Sequence, residues 1–227
     1  MLRLVLLPGL NGNRILFTPL LSQLDPALEV EALCLPVQGS QDYDDLADAL
    51  VDRLGDSPFV LLGESFSGPL AYRLALRQPT GLCGVIFAAT FLRRPHPLLA
   101  LQRYLPLPHK LLTHSSLLRQ FCLGDGASPA MVELLREEIQ ALPARLIRAR
   151  LTSLNQLQAP SQQLDLPALH LLPRRDRLIT HLAAISLQRH CRQLQQVTID
   201  GPHFLRQSKP QDCAQAIQRF MAGLSAG

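Results

Sequence analysis

The sequence lacks tryptophan, and aromatic residues make up only 5% of it, so its apolar interior must consist mainly of aliphatic side chains. No apolar run approaches the roughly 18–20 residues that a membrane-spanning helix needs, and we expect no membrane span. Cysteine is scarce, odd in number and without C-x-x-C spacing. The five residues are Cys34, Cys83, Cys122, Cys191 and Cys213. This pattern argues against a disulfide framework and against a zinc site.

A large excess of one charge is also missing, because the formal net charge is only +4. The positive excess lies between Phe91 and Pro160, where arginine and lysine outnumber aspartate and glutamate by nine to four. Without interleaved aromatic residues or a binding motif, so small an excess argues against nucleic acid as a partner. The spacing of Arg145 and Arg148 predicts a shared helix face with Arg150 nearby. A basic docking patch and an ordinary solvated helix surface are both compatible with this pattern.

The first residues form a short apolar run, from Leu2 to Leu7, that resembles the start of a signal peptide. Pro8 and Gly9 interrupt it, and no small-residue cleavage site precedes the polar residues 11–13. A buried first strand explains this segment better. Together with the scattered cysteines, it leads us to expect a cytoplasmic protein.

Apolar runs of strand length recur along the chain and alternate with helical patterns. The runs lie at residues 2–7, 30–35, 59–62, 84–89, 168–172 and 196–199. The helical patterns lie at residues 43–54, 67–77, 180–194 and 210–224. Most of the runs lack strict polar alternation, which is typical of strands covered on both faces. The sequence therefore predicts an α/β fold: a mostly parallel sheet of about six strands with helices on both faces.

Residues 91–166 break this alternation. They contain seven prolines and leucine-rich helical patterns but no convincing strand, and Ser128-Pro129 is typical of a helix start. The segment is too long for a simple crossover between two strands. We therefore predict a core domain of residues 1–90 and 167–227, with a helical cap inserted over the sheet at residues 91–166.

The motif Gly63-Glu64-Ser65-Phe66-Ser67-Gly68 directly follows the third apolar run. A strand that ends in small residues around one serine is typical of a nucleophile elbow, in which the serine occupies a strained turn between strand and helix. Small residues are needed on both sides because strand and helix nearly touch there. Serine rather than glycine at position 67 departs from the usual G-x-S-x-G, and an ordinary tight turn is the alternative interpretation.

A serine nucleophile needs a base, an acid that orients the base, and donors for an oxyanion. His203 follows the last predicted strand and is the candidate base. Asp176 follows the fifth strand and is the candidate acid. Asp165 and Asp200 compete with it, but we expect Asp165 to precede its strand at the wrong end of the sheet. Asp200 is too close to His203 in sequence to turn back toward it.

The glycine-containing loop after the first strand supplies a candidate oxyanion donor. Its Leu10 amide, together with the Phe66 amide just after the serine, would form an oxyanion hole. The other histidines are scattered along the chain, and we interpret them as structural.

On these motifs the chain resembles the α/β-hydrolase superfamily, in particular small capped carboxylesterases of the pimeloyl-[acyl-carrier protein] methyl ester esterase type. The resemblance rests on LLPGLNG, LPVQGS, GESFSG, PRRDRLI and GPHF, and covers nearly the whole chain. It implies that Ser65 is the nucleophile, His203 the base and Asp176 the acid. It further implies that Leu10 and Phe66 are the oxyanion donors. Pro8 replaces the common histidine before Gly9, and the family's first hairpin is absent.

The resemblance implies hydrolysis of a carboxylic ester or thioester through an acyl-serine intermediate, with neither metal nor cofactor. A small ester or thioester is the expected substrate, and the basic cap adds an acyl carrier protein as a candidate partner. A C–C bond hydrolase or lyase of the same fold is an alternative, since the triad does not fix the substrate. A non-catalytic receptor for a small ligand is the second alternative.

Overall fold

The computed structural model describes residues 2–103 and 113–225, and its centre is a single six-stranded sheet. The strands are β1 Arg3–Leu7, β2 Val30–Ala32, β3 Phe59–Glu64, β4 Leu82–Ala88, β5 Leu164–Pro173 and β6 Cys191–Ile199. Their spatial order is β2-β1-β3-β4-β5-β6, and every neighbouring pair is parallel. The predicted α/β class and the six predicted strands are confirmed.

Helices connect the strands and cover both faces of the sheet. They are α1 Thr18–Leu21, α2 Tyr43–Val51, α3 Ser67–Leu76, α4 Ser115–Leu117, α5 Pro129–Gln140, α6 Ala144–Gln156, α7 His181–Ala184, α8 Leu187–His190, α9 Leu205–Ser208 and α10 Pro210–Ser225. Short 3-10 turns occur at Ile15–Phe17 and Pro97–Arg103, and α4 continues into a π-helical turn at Leu118–Leu123. None of the helices in the described ranges has the length and apolar content needed to cross a membrane.

The helix predicted at residues 180–194 is wrong in its second half. Two short helices, α7 and α8, end at His190, and β6 begins at Cys191, where it pairs with Leu164 of β5. This strand forms the edge of the sheet, and most of its side chains are exposed. Its first residues, 191–195, are mostly polar and lack the apolar run by which the other strands were predicted.

The sheet separates two apolar layers. Alternate residues of one strand point to opposite faces, so Leu61 packs in the layer that contains α2 and α3, while Leu62 packs in the layer that contains α10. Both residues are fully buried. Because both faces are covered, apolar residues follow one another in β3 without alternation.

The strand order brings four loops to the carboxyl edge of the sheet. Leu7 of β1 lies beside Gly63 of β3, and Pro173 of β5 lies beside Ile199 of β6. The loops after these strands therefore start at the same edge, which is where ligands bind in open α/β sheets.

A helical segment, which we call the insertion (residues 89–163), connects β4 to β5. The described part of it contains helices and turns and no strand. Ser128 caps α5 as predicted, since its Oγ accepts the Met131 N–H at 3.2 Å. Leu118 and Leu135 of the insertion pack in a small apolar cluster with Leu16, which lies in the 3-10 turn after β1. β5 already begins at Leu164, so the boundary predicted at residue 166 lies inside this strand.

The packing of α10 against the sheet predicts a large effect at Ile217, which is fully buried. We expect Ile217→Ala to lower the free energy of unfolding by about 2–5 kcal/mol, because the cavity it leaves cannot collapse fully. Gln215→Ala, at an exposed position of the same helix, should change it by no more than about 0.5 kcal/mol. Urea denaturation measures both values, and equal effects would contradict this assignment of the core.

Candidate active site

Ser65 lies at the carboxyl end of β3, in a turn that leads directly into α3. Its φ is 47°, in the left-handed region that a residue with a side chain rarely adopts. Hydrogen bonds hold it there: the Ser65 N–H donates to the Ala88 carbonyl at 2.9 Å, and the Ser65 carbonyl accepts from Thr90 Oγ1 at 2.6 Å. The turn thus has the backbone conformation expected of the predicted elbow, with a strained residue fixed by its surroundings.

The glycines of the motif are required by close packing. A Cβ on Gly63 would lie 2.4 Å from the Ser67 carbonyl oxygen, and one on Gly68 would lie 1.9 Å from Thr90 Oγ1. Ser67 is fully buried, and its hydroxyl donates to the carbonyl of Pro8. The two departures from the family motif, Ser67 and Pro8, therefore contact each other and link the elbow to the loop after β1.

Three of the predicted site residues lie within hydrogen-bond distance in a chain. Ser65 Oγ is 2.9 Å from His203 Nε2, and His203 Nδ1 is 2.7 Å from Asp176 Oδ2. The other carboxylate oxygen, Oδ1, accepts the N–H groups of Leu178 and Ile179 at 2.8 and 3.0 Å. If Nδ1 carries the ring proton and donates a hydrogen bond to Asp176, Nε2 is free to accept the serine proton.

The two competing aspartates are engaged elsewhere. Asp165 forms an ion pair with Arg192 at 3.4 Å, and Asp200 forms one with Arg175 at 3.0 Å. The expectation that Asp165 precedes its strand is wrong, because β5 starts at Leu164. Asp165 nevertheless lies near the start of this strand, at the end of the sheet opposite to His203.

The surroundings of His203 and Asp176 shift both of their pKa values. Burial alone would lower the pKa of His203, but the adjacent Asp176 carboxylate more than offsets this, and the pKa lies above the ordinary 6.5. Burial alone would raise the pKa of Asp176, but His203 and two backbone N–H donors hold it below its ordinary value. The pair therefore favours an ionised aspartate beside an imidazole of increased basicity.

The Leu10 amide is oriented by the turn after β1. The Gly9 carbonyl accepts the Gly12 N–H at 3.0 Å. The N–H and C=O of a trans peptide point in opposite directions, so the Leu10 N–H, in the same peptide unit as this carbonyl, points away from the turn. It donates no hydrogen bond to any described residue.

The Phe66 amide is oriented in the same way by the elbow. The Ser65 carbonyl, which belongs to the same peptide unit, accepts hydrogen bonds from Thr90 Oγ1 and from the Gly68 N–H, the latter at 3.1 Å. The Phe66 N–H therefore points to the opposite side, and within the described ranges it has no hydrogen-bond acceptor. Both predicted donors are thus fixed amides that have no acceptor among the described residues.

Sequence reasoning missed a buried ion pair behind the elbow, between Glu64 and Arg206. Glu64 also accepts the Gly9 N–H at 3.2 Å, and the Arg206 guanidinium lies 4.2 Å from the centre of the Phe17 ring. Arg206 follows His203 by three residues, and this short separation is the feature of the sequence that indicates its closeness to the site. The pair connects the elbow, the loop after β1 and the histidine loop in the interior.

Arg150 also departs from its predicted place. Its side chain is fully buried between α6 and the loops after β1 and β2, while Arg145 and Arg148 are exposed. The predicted patch of three neighbouring arginines is therefore reduced to two. Among the described residues, no group of three or more His, Cys, Asp or Glu side chains is arranged to hold a metal ion.

Comparison with known proteins places this geometry in context. The sequence profile of an alpha/beta hydrolase family matches residues 4–216. No curated protein sequence matches the chain. A thermophilic esterase from Thermogutta terrifontis superposes with a TM-score of 0.81 at 21% identity, covering 99% of this chain and 90% of the esterase.

Two further solved structures share the fold. An enol-lactonase from Burkholderia xenovorans LB400 has a TM-score of 0.81 at 17% identity, with 96% of this chain and 90% of the lactonase covered. The type II thioesterase BorB of the borrelidin biosynthetic cluster has a TM-score of 0.75 at 21% identity, with coverages of 97% and 92%. At these identities the likeness concerns the fold alone.

The electrostatics of the site predict the titration of His203. We expect Asp176→Asn to lower the pKa of this imidazole below 6.5, because burial would then be opposed only by Glu64, whose effect Arg206 counteracts. Titration of the ring protons by NMR measures the pKa, and a His203→Gln variant assigns the resonance. An unchanged pKa in the Asp176→Asn protein would show that the carboxylate does not control the imidazole.

Proposed function

Because the chain belongs to the alpha/beta hydrolase family, we propose that it hydrolyses a carboxylic ester or thioester through an acyl-Ser65 intermediate. The observation that carries this proposal is the chain of hydrogen-bond distances from Ser65 Oγ through His203 to Asp176, at 2.9 and 2.7 Å. A nucleophile, a base and an orienting acid are the groups that acyl transfer to serine needs.

In the first step, Ser65 Oγ attacks the carbonyl carbon of the substrate, and its proton passes to Nε2 of His203. The imidazolium that forms is stabilised by the Asp176 carboxylate, which stays ionised. The downward shift of the pKa of Asp176 supports this role, because the acid remains charged at neutral pH. The raised pKa of His203 favours its acceptance of the proton.

The carbonyl oxygen gains negative charge in the tetrahedral intermediate. We assign its stabilisation to the N–H groups of Leu10 and Phe66, which have no acceptor within the described residues. Each is held in place because the carbonyl of the same peptide unit, that of Gly9 or Ser65, accepts hydrogen bonds. Donors held in place before reaction need no reorganisation as the charge develops.

The imidazolium then protonates the leaving alkoxide or thiolate, and the bond between it and the acyl carbon breaks. His203 next takes a proton from water, whose oxygen attacks the acyl carbon of the ester on Ser65. Collapse of the second tetrahedral intermediate returns the proton to Ser65 Oγ and releases the carboxylic acid.

Two solved structures of this fold are of an esterase and a thioesterase, in agreement with both substrate classes. A third is an enol-lactonase, which extends the candidates to cyclic esters. C–C bond cleavage by the same triad remains the alternative. A panel of esters, thioesters, lactones and β-diketones separates these reactions, and turnover of β-diketones alone would overturn the ester proposal.

Ser65→Ala tests the nucleophile. We expect it to abolish turnover of a short p-nitrophenyl ester and labelling by a fluorophosphonate probe, because the alanine methyl group has no oxygen to acylate. Circular dichroism should show an unchanged fold. Ser116→Ala, at an exposed position of α4, is the matched control and should keep both properties.

Wild-type activity in Ser65→Ala would refute the nucleophile assignment. A folded wild-type protein that neither reacts with the probe nor turns over any substrate in the panel would instead favour a non-catalytic receptor.

We further propose that an acidic acyl carrier protein delivers the substrate to the insertion. Arg145 and Arg148 support this, because both are exposed and lie three residues apart on α6. Lys110, which adds to the predicted positive excess, lies outside the described residues. Exposed charges of this kind speed the encounter with a partner of opposite charge.

Reversing the charges of Arg145 and Arg148 tests whether a carrier protein docks on this surface. Arg145→Glu with Arg148→Glu should lower kcat/KM for a carrier-bound ester about 10-fold or more at low salt, through slower association, and spare p-nitrophenyl acetate. Arg189→Glu, at an exposed position on α8 outside the insertion, is the matched control and should leave both kcat/KM values unchanged. Unchanged kcat/KM on the carrier-bound ester would exclude this surface as the docking site.

A further inference from the structure

Arg150 of α6 is a buried cation in contact with the loop that bears the proposed oxyanion donor. Its side chain has 0% exposure. Nη1 donates to the Leu10 carbonyl at 2.7 Å, Nη2 to the Pro36 carbonyl at 3.2 Å, and Nε to Gln41 Oε1 at 2.9 Å. One side chain of the insertion thus binds the loops after both β1 and β2.

All three acceptors of Arg150 are neutral. Within residues 2–103 and 113–225, no carboxylate lies within 4.0 Å of the guanidinium. Burial lowers the pKa of Arg150 to about 10, so the group still carries its charge at neutral pH. Burying a charge without a counterion costs free energy. If Arg150 had only a structural role, an apolar side chain would stabilise the fold at lower cost.

The loop after β1 is shaped around this guanidinium. Gly12 has a φ of +75°, and a Cβ there would lie 2.3 Å from Arg150 Nη1. On the other side, the guanidinium lies 5.8 Å from the ring of Phe66, whose amide is the second proposed oxyanion donor. The charge is therefore placed next to both residues of the proposed oxyanion hole and is shielded from solvent.

A second contact fixes the same loop to the insertion. Glu138 of α5 accepts from the side-chain amides of Asn11 and Asn13, at 3.3 and 2.6 Å. This carboxylate is held by neutral donors further along the loop, so it leaves the charge of Arg150 unpaired. Two helices of the insertion together bind Leu10, Asn11 and Asn13.

We propose that Arg150 is the positioning residue of the oxyanion hole. From the insertion it holds the Leu10 carbonyl and so fixes the residue that bears the proposed N–H donor. Its charge, which has no counterion among the described residues, stabilises the oxyanion. The inference rests on the proposed function, since it assigns a role in the same reaction. In a water-excluded environment a charge acts more strongly than in solvent, and this one lies beside both residues that bear the proposed oxyanion donors. Catalysis then requires the insertion to be packed against the loop after β1.

Replacement of Arg150 by lysine and by glutamine separates charge from hydrogen bonding. Glutamine keeps one donor and loses the charge, while lysine keeps the charge and one donor. We expect Arg150→Gln to lower kcat for p-nitrophenyl acetate about 10–100-fold with KM nearly unchanged, because the lost interaction acts only on the transition state. Arg150→Lys should recover part of this loss. Gln156→Met, at an exposed position of the same helix, should match the wild type.

Two further measurements distinguish positioning from folding. Active-site titration with a fluorophosphonate counts competent sites, so kcat per titrated site does not depend on the folded fraction. The inhibition constant of a trifluoromethyl ketone, which mimics the tetrahedral intermediate, should rise in parallel with the fall in kcat. Should the Arg150 variants not fold, Gln41→Ala is the second test, with a smaller fall in kcat of about 3–10-fold expected. This change frees Nε of Arg150 and also removes the hydrogen bonds that Gln41 Nε2 donates within its own loop.

A kcat per titrated site within about 2-fold of the wild type in folded Arg150→Gln would overturn the inference, as would a raised KM at unchanged kcat. If Arg150→Gln does not fold, wild-type kcat in Gln41→Ala overturns it. Failure of the proposed function looks different, because the wild-type protein itself would then show neither turnover nor labelling.

Discussion

The hydrogen bonds of one imidazole connect the three loops of the candidate site. His203 lies 2.9 Å from Ser65 and 2.7 Å from Asp176, although the three residues come from loops after β6, β3 and β5. Parallel strands make this possible, since their carboxyl ends meet at one edge of the sheet. Burial opposes a charged imidazole here, and the aspartate more than offsets it. The chemistry we propose therefore depends on a carboxylate held in place by two backbone N–H groups.

Behind these three residues the interior contains several polar contacts. The Glu64–Arg206 pair and the Ser67–Pro8 hydrogen bond lie under the elbow, and Arg150 lies beside the loop after β1. Buried ion pairs of this kind often add little stability compared with apolar packing. They do fix orientation, and each of these contacts includes Leu10 or a residue within two positions of Ser65. We interpret the polar interior as support for the geometry of the site.

Much of this arrangement could be predicted from the sequence, because it rests on local patterns. The elbow motif located Ser65, and strand–helix alternation located the six strands. The predicted place of Arg150 beside Arg145 and Arg148 is wrong, because closeness in sequence does not determine which face of the helix Arg150 occupies. Leu146 and Leu154 lie four residues to either side of it, and both are buried, so the helical period put Arg150 on the inner face. The first half of the edge strand β6 was not predicted as a strand, because residues 191–195 are mostly polar and carry no apolar run.

In the mechanism we propose, Ser65 carries the acyl group during turnover. Intact-protein mass spectrometry after rapid acid quench with p-nitrophenyl acetate tests it most directly. We predict a mass increase of one acetyl group per chain, which peptide mapping assigns to Ser65, and which disappears once the substrate is consumed. Turnover without any covalent adduct, or an adduct on another residue that decays at the turnover rate, would contradict the account.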